Sequence, residues 1–356
     1  MTLAFVVNTG SSSIKWELVD VESGTNVRGG IVERVTDYAA AMASILEQLG
    51  GEHPAVIGHR VVHGGSVFTA ATLITDQVEA AIDELSALAP LHNPPNLAGI
   101  RAARAAFPGV PNVAVFDTAF HQTLAPEAYT YAIPAELGIR RYGFHGTSYQ
   151  YVSREAARML GRDDAKLIVF HLGNGASVCA VDAGRSVETS MGMTPLEGLV
   201  MGTRSGDIDG GVLFHLGRAG RTLAELDALL NRGSGLLGLS SRGDMRDVQE
   251  EAAAGDEAAQ LALDVYHHRL RHYLGAYLAH LGGADAVVFT AGVGENSAIT
   301  RRSIDGLFGI RLDEALNARR SPDARVVSSE DSAIAVLVVP TNEELEIARQ
   351  SAALLG

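Results

Sequence analysis

Two segments far apart in this chain carry one pattern. FVVNTGSSSI (5–14) and VFHLGNGASV (169–178) each read as an apolar run, a turn of Gly, Ser and Asn, and a second apolar run. Small residues of this kind make tight turns, and apolar runs on both sides make the pair a β-hairpin. The echo suggests two related domains, each offering one small-residue turn to the same ligand, although many hairpins share this pattern. At 356 residues the chain is too long for one ordinary core, and 47% hydrophobic residues suffice for two.

Further strand-like runs lie at 3–7, 14–19, 55–62, 112–116, 166–170, 177–181, 286–290 and 334–339. Helical patterns fall between them. One spans 76–88 and stops at Pro90, one spans 97–106 after two prolines, and one spans 148–160 and ends at Gly161. A capping box at Thr222 and Glu225 opens a short helix that ends near Gly233. A long pattern over 249–281 has a break at Gly255, and TNEE (341–344) reads as a second capping box for a helix to Leu355. Strands and helices mixed in both halves give an α/β fold class.

The formal net charge of −14 argues against nucleic acid as the main partner, because a phosphate backbone calls for a basic face. No run approaches the ~18 apolar residues of a membrane span, and LAFVV is too short for a signal segment. The expectation is a cytoplasmic protein with no membrane partner. Cys179 lies in an apolar run, so a buried thiol is expected and a disulfide within one chain is excluded. Among 28 Lys plus Arg, the lysines are Lys15 and Lys166 alone. A lysine kept beside the first turn is therefore informative, since a compact ammonium and a planar guanidinium serve phosphates differently.

That turn, Asn8-Thr-Gly-Ser-Ser-Ser-Ile-Lys15, lets backbone N–H groups approach an anion, with Ser11 and Ser13 as added donors. NTG alone is an ordinary hairpin turn; the serines and Lys15 favour phosphate. His171-Leu172-Gly173-Asn174-Gly175 is a second such turn. Thr290-Ala-Gly292-Val293-Gly294-Glu295-Asn296 is a third, a strand leading through a double-glycine turn into a helix. None matches a P-loop or a Rossmann fingerprint. Arg60 and His63 close a strand; His59 and His63 have metal-like spacing only on a helix, so zinc is discounted. His92 stands in a loop before a helix, where a cap is the plain alternative. Asp117 sits just past a strand, His145 at a helix entry between Phe144 and glycine, and Arg204 between small residues with acids behind.

NTGSSSIK, HRVVHGG, PLHNPPN, FDTAFH, RRYGFHGTS, HLGNGAS, GTRSGDID, DMRD, TAGVGEN and TNEE, in this order, resemble the acetate kinase family over nearly the whole chain. The resemblance implies two ribonuclease-H-like domains of the acetate and sugar kinase, chaperone and actin superfamily, with an interdomain cleft. It places the N-terminal domain at 1–119 plus 345–356 and the nucleotide-binding domain at 120–344. It implies reversible phosphoryl transfer from ATP to acetate, giving ADP and acetyl phosphate, with Mg²⁺ (or Mn²⁺) and a homodimer.

Carried over by motif, Asn8 and Glu343 serve the metal. Lys15, Ser11, Ser13, the 171–175 turn, Asp244, Met245, Arg246 and the segment Gly292, Val293, Gly294, Glu295, Asn296 hold ATP. Arg60 and His92 bind acetate, with Val62, Leu91, Phe144 and Pro195 around the methyl group. Asp117, Arg60, His145 and Arg204 form the catalytic set. Acetate is already ionised at neutral pH, so it needs no general base. Asp117 is therefore expected to orient an arginine or a metal-bound water, and transfer is expected to be direct and in line. Propionate kinase shares these motifs and is the alternative, since one methylene is worth only ~1–3 kcal/mol in an apolar pocket. Trp16 stands where the family commonly has Phe, and the short 239–243 stretch with Arg242 borders the expected adenosine site.

Overall fold

The computed structural model describes residues 2–10 and 12–356. The chain divides into two compact units, one of Met1–Gln122, Phe144–Tyr151 and Asn342–Gly356, the other of Thr123–Gly143 and Val152–Thr341. Among the described residues, no helix is long and apolar enough to cross a membrane.

The first unit is built on a six-stranded sheet ordered β3-β2-β1-β4-β6-β5. Its strands are β1 (Leu3–Thr9), β2 (Ser13–Asp20), β3 (Thr25–Glu33), β4 (Val56–Val61), β5 (Thr72–Leu73) and β6 (Asn112–Phe116). β1, β2 and β3 are antiparallel in turn, and β4 and β6 continue parallel to β1. Side chains alternate across a strand. Phe5 and Val7 of β1 therefore join Ile14, Trp16 and Leu18 in a core closed by Met42, Ile45, Leu49 and Ala103. Ala4 and Val6 point the other way, into a core with Val113, Val115, Leu345 and Ile347. The sheet is covered on both faces, as a parallel centre requires. Gly58 of β4 lies under the helix Glu343–Ala352; a Cβ there would stand 2.6 Å from both Ile347 Cγ2 and Ser351 Oγ. Trp16 packs against Phe5 and over Gly30 of β3.

The second unit repeats the order. Its strands are β7 (Lys166–Leu172), β8 (Ala176–Asp182), β9 (Arg185–Thr189), β10 (Ala286–Thr290), β11 (Arg325–Val326) and β12 (Ala335–Val338). They run β11-β12-β10-β7-β8-β9, with β7, β8 and β9 antiparallel and β10 and β12 parallel to β7. The sequence echo is thus two hairpins in equivalent places, with Thr9 opposite Ile14 in one and Leu172 opposite Ala176 in the other. Both units carry the α/β architecture expected from the sequence. Cys179 is a buried free thiol in β8.

Some local readings need correction. The last helix is capped by Asn342, whose side chain accepts from Leu345 N at 2.9 Å, not by Thr341, and it ends at Ala352. The break expected at Gly255 is present, where that residue takes φ of 95°; it parts the helices Met245–Ala253 and Glu257–Leu281, and only the start of the first lies earlier than read. The glycines of 290–296 lie inside a short helix, Ala291–Asn296, that starts directly from β10, so there is no separate turn. His92 holds the cap position of the helix Asn93–Ala106, but its side chain makes no capping bond.

Candidate active site

Parallel strands deliver their C-terminal ends to one edge of a sheet, where side chains can converge. In the first unit those ends bring Asn8 from β1, Arg60 from β4 and Asp117 just past β6 together. Arg60 Nε lies 3.0 and 3.1 Å from the two Asp117 carboxylate oxygens, and Nη2 donates to Oδ2 at 2.6 Å. Arg60 Nη1 reaches Asn8 Oδ1 at 3.5 Å. Glu343, at the start of the last helix, stands 3.7 Å from Arg60 Nε. Asp117 is 1% exposed, so the carboxylate side of the fork is shielded from water, while the Arg60 side chain stays part-exposed. Lys15, opposite Asn8 across the hairpin, holds Glu344 at 2.5 Å and Glu17 at 3.3 Å.

Acids outnumber bases in this cluster. Burial, with Asp117 and Glu344 nearby, pushes the Glu343 carboxyl up to about 7 despite Arg60 and Lys15. Burial works against the Arg60 charge, but Asp117 and Glu343 more than offset it and the guanidinium stays protonated. A carboxyl raised by burial and by acidic neighbours is relieved by a cation. The hard oxygens of Asn8 and Glu343 suit Mg²⁺, which keeps most of its waters and takes the rest of its ligands from phosphates. No cluster of three or more His, Cys, Asp or Glu ligands occurs among the described residues.

His145 heads the helix Gly146–Leu160 with φ of 59°, a left-handed backbone that costs a non-glycine residue about 1–3 kcal/mol. It is pinned by its neighbour: Gly146 N donates to Asp117 O at 2.8 Å. A Cβ on Gly146 would meet that oxygen at 2.3 Å. Phe144 is buried, its carbonyl 2.9 Å from His121 Nε2 and its ring edge-on to His63 at 5.5 Å. Val62 is half-buried, and Leu91 is 57% exposed at the head of the helix Asn93–Ala106. Ser13 accepts from Gly10 N through its carbonyl at 2.8 Å, closing the first turn; Ser11 lies outside the described residues.

The second unit holds a cavity of about 550 Å³, a volume suited to a small ligand. Gly173 and Asn174 line it from the β7–β8 turn, Asp244, Met245 and Arg246 from a helix start, and Gly292, Val293 and Asn296 from the helix after β10. Asp244 caps the helix Met245–Ala253 and pairs with Arg246 at 2.5 Å, which draws its carboxyl down to about 2. His171, Leu172, Gly175, Gly294 and Glu295 do not line the cavity. His171 and Leu172 are buried in β7, and Glu295 Oε1 accepts from Thr341 N. Arg242 turns away to Glu251 at 2.6 Å, so the short 239–243 stretch reaches the cavity through Gly243.

The lining also includes Gly202, Leu236, Gln249, Tyr266, Ser297 and Arg320, which motif reading missed. Gly202 opens the quoted GTRSGDID motif without having been assigned a role, Gly243 adjoins DMRD, and Gln249 follows Met245 by one helical turn, so a helical projection would have found it. Tyr266 and Arg320 have no local signal. Arg204 Nη1 donates to Pro195 O at 2.9 Å and contacts Met201 Sδ at 3.6 Å. It has no carboxylate partner among the described residues, and burial lowers its pKa.

The acetokinase family model matches residues 36–349. An acetate kinase of Leifsonia xyli is 57% identical over 390 residues, covering 99% of this chain and 98% of its own length. The solved structure of Porphyromonas gingivalis acetate kinase superposes with a TM-score of 0.96 at 39% identity, covering 100% of both chains. A propionate kinase from Francisella tularensis superposes at 0.94, also at 39% identity, over 99% of this chain and 100% of its own. The matched motifs, the duplicated sheets and the full-length similarity lead to one conclusion: this chain is a kinase and belongs to the acetokinase family.

Proposed function

We propose that the protein transfers the γ-phosphoryl group of ATP to acetate, reversibly and in line, forming acetyl phosphate and ADP. The forked Arg60–Asp117 pair carries this reading. Both Asp117 oxygens accept from Arg60, so Asp117 holds a guanidinium in place and is not arranged as a free base. A carboxylate substrate needs that guanidinium and no base. Arg60 then binds acetate with His92, and Val62, Leu91, Phe144 and Pro195 receive the methyl group. Arg204, whose guanidinium contacts a carbonyl and a thioether and no carboxylate among the described residues, stabilises the transferring phosphoryl group with His145.

Asn8 and Glu343 are assigned to Mg²⁺, which when bound supplies charge neutralisation at the phosphates. The second-unit cavity, with Gly173, Asn174 and the 292–296 segment, is assigned to the nucleotide, and Lys15 to charge near the first turn. The family resemblance supports a cytoplasmic homodimer.

Propionate is the second and more distant reading: the Francisella propionate kinase shares 39% identity with this chain, as the Porphyromonas acetate kinase does, but superposes slightly less well, and relatives at 56–57% identity are acetate kinases. Acyl phosphate trapped with hydroxylamine decides between them. kcat/KM highest for acetate in the series acetate, propionate, butyrate supports the first reading. A maximum at propionate transfers the assignment to the sister activity. No acyl phosphate from any acid overturns both.

A further inference from the structure

Arg301 is 1% exposed, and every hydrogen bond of its guanidinium goes to a neutral oxygen. Nε donates to Asn317 Oδ1 at 2.8 Å, Nη2 to Asn317 O at 2.7 Å, and Nη1 to Gly294 O at 2.7 Å. Arg325 stands beside the same segment. Its Nη2 donates to Glu295 O at 3.3 Å and its Nη1 to Ser321 O at 3.1 Å, while its buried Nε has no partner. Neither arginine has a carboxylate within ion-pair distance among the described residues, although the Glu295 carboxylate favours the Arg325 charge through space. Burial, and then the charge of Arg325, bring Arg301 down to about 10.

Buried charges are normally paired, because desolvation is costly and neutral acceptors repay only part of it. If fixing the Gly294 and Glu295 carbonyls were the whole task, a buried Arg301 bonded to neutral oxygens alone, beside a second cation that Glu295 compensates only through space, would be an unfavourable way to do it. The segment they hold lines the second-unit cavity through Gly292, Val293 and Asn296. Neither arginine lines it, so their influence on a ligand passes through this backbone and through space.

We propose that Arg301 and Arg325 are positioning residues of the nucleotide site, holding the 292–296 segment and giving it a positive potential that favours the phosphates of the bound nucleotide. This rests on reading the 550 Å³ cavity as the nucleotide site. The ligand's negative charge then supplies the compensation that the free chain lacks. By linkage, charge that favours the anion is destabilising without it.

The test is calorimetric titration of the full chain with ADP and with adenosine, without added metal. It compares wild type, Arg301→Met, Arg301→Lys and Arg325→Gln. A purely structural role weakens both ligands alike. The proposal expects Arg301→Met and Arg325→Gln to weaken ADP about tenfold more than adenosine, and Arg301→Lys to restore much of the ADP preference. An unchanged ratio of ADP to adenosine affinity in Arg301→Met and Arg325→Gln overturns it. If Arg301→Met does not fold, the half-exposed Arg325 carries the same comparison alone. Wild type that binds neither ligand removes the cavity assignment itself, and the inference with it.

Discussion

Arg60 and Asp117 lie far apart in sequence and meet because β4 and β6 are parallel neighbours, with Arg60 opposite Val115 in register. Asp117→Asn keeps the shape but weakens the fork. It is expected to lower kcat by about 10²–10³, the scale of a lost electrostatic contact, while the acidic limb of the pH–rate profile persists. Loss of that limb in steady-state assays would make Asp117 a base after all.

A second residue-scale prediction concerns His59, buried in β4 with Nε2 2.7 Å from Asn112 Oδ1. Burial lowers its pKa to about 4, so the folded chain resists its protonation while the unfolded chain accepts a proton near the ordinary 6.5. Between these values the unfolded state binds more protons. The stability contribution is therefore full above pH 6.5 and is lost as pH falls toward 4, by about 3 kcal/mol at most. Urea denaturation at pH 7 and pH 4.5 should show a steeper loss in wild type than in His59→Gln.

At the scale of elements, close approach sets what the site tolerates. Gly58 lets the helix Glu343–Ala352 lie directly on β4, and that helix carries Glu343 at its start. Gly58→Ala is expected to cost about 1–3 kcal/mol by overpacking and to raise the Mg²⁺ concentration needed for half-maximal rate, since Glu343 moves with its helix. Thermal denaturation and a Mg²⁺ titration check the two halves. Thr222→Ala, which removes an exposed capping box far from the assigned residues in sequence, should cost about 1 kcal/mol and leave kcat unchanged.

The central strands were legible because both their faces are buried and their sequences are largely apolar, and β2 was legible through its alternation of Ile14, Trp16 and Leu18; the short edge strands β5 and β11 and the polar β9 were not. β3 was not, because its residues Thr25, Asn26, Arg28, Gly29 and Gly30 lie at an exposed edge that needs no apolar pattern. The helix Tyr38–Leu49 was also missed: its first turn is nearly all alanine, which supplies little amphipathic contrast. In the site, Arg60, Asp117 and the glycine-rich turns stood out through local chemistry. Tyr266 and Arg320 reach the cavity by tertiary folding alone, and nothing local in the sequence marks Arg301 as buried.

For the whole molecule, the duplicated sheet order explains why one chain carries two anion-suited turns. It also explains why the chain's last residues belong with its first. The segment Asn342–Gly356 is part of the first unit, although more than half the chain separates it from that unit's other strands. Leu345, Ile347 and Ala348 complete the core over Ala4, Val6, Val113 and Val115. A large aliphatic side chain contributes about 1.5–3 kcal/mol when buried, and removing the helix would expose the facing strands as well. The sum rivals the ~5–15 kcal/mol that holds a domain folded. Deleting residues 342–356 is therefore expected to unfold the first unit and not merely trim a tail. Limited proteolysis should then cut within residues 2–122 while Val152–Thr341 resists. If the truncated chain keeps a protease-resistant N-terminal unit, the sheet holds by its other face alone, and the C-terminal helix serves mainly to bring Glu343 to Arg60.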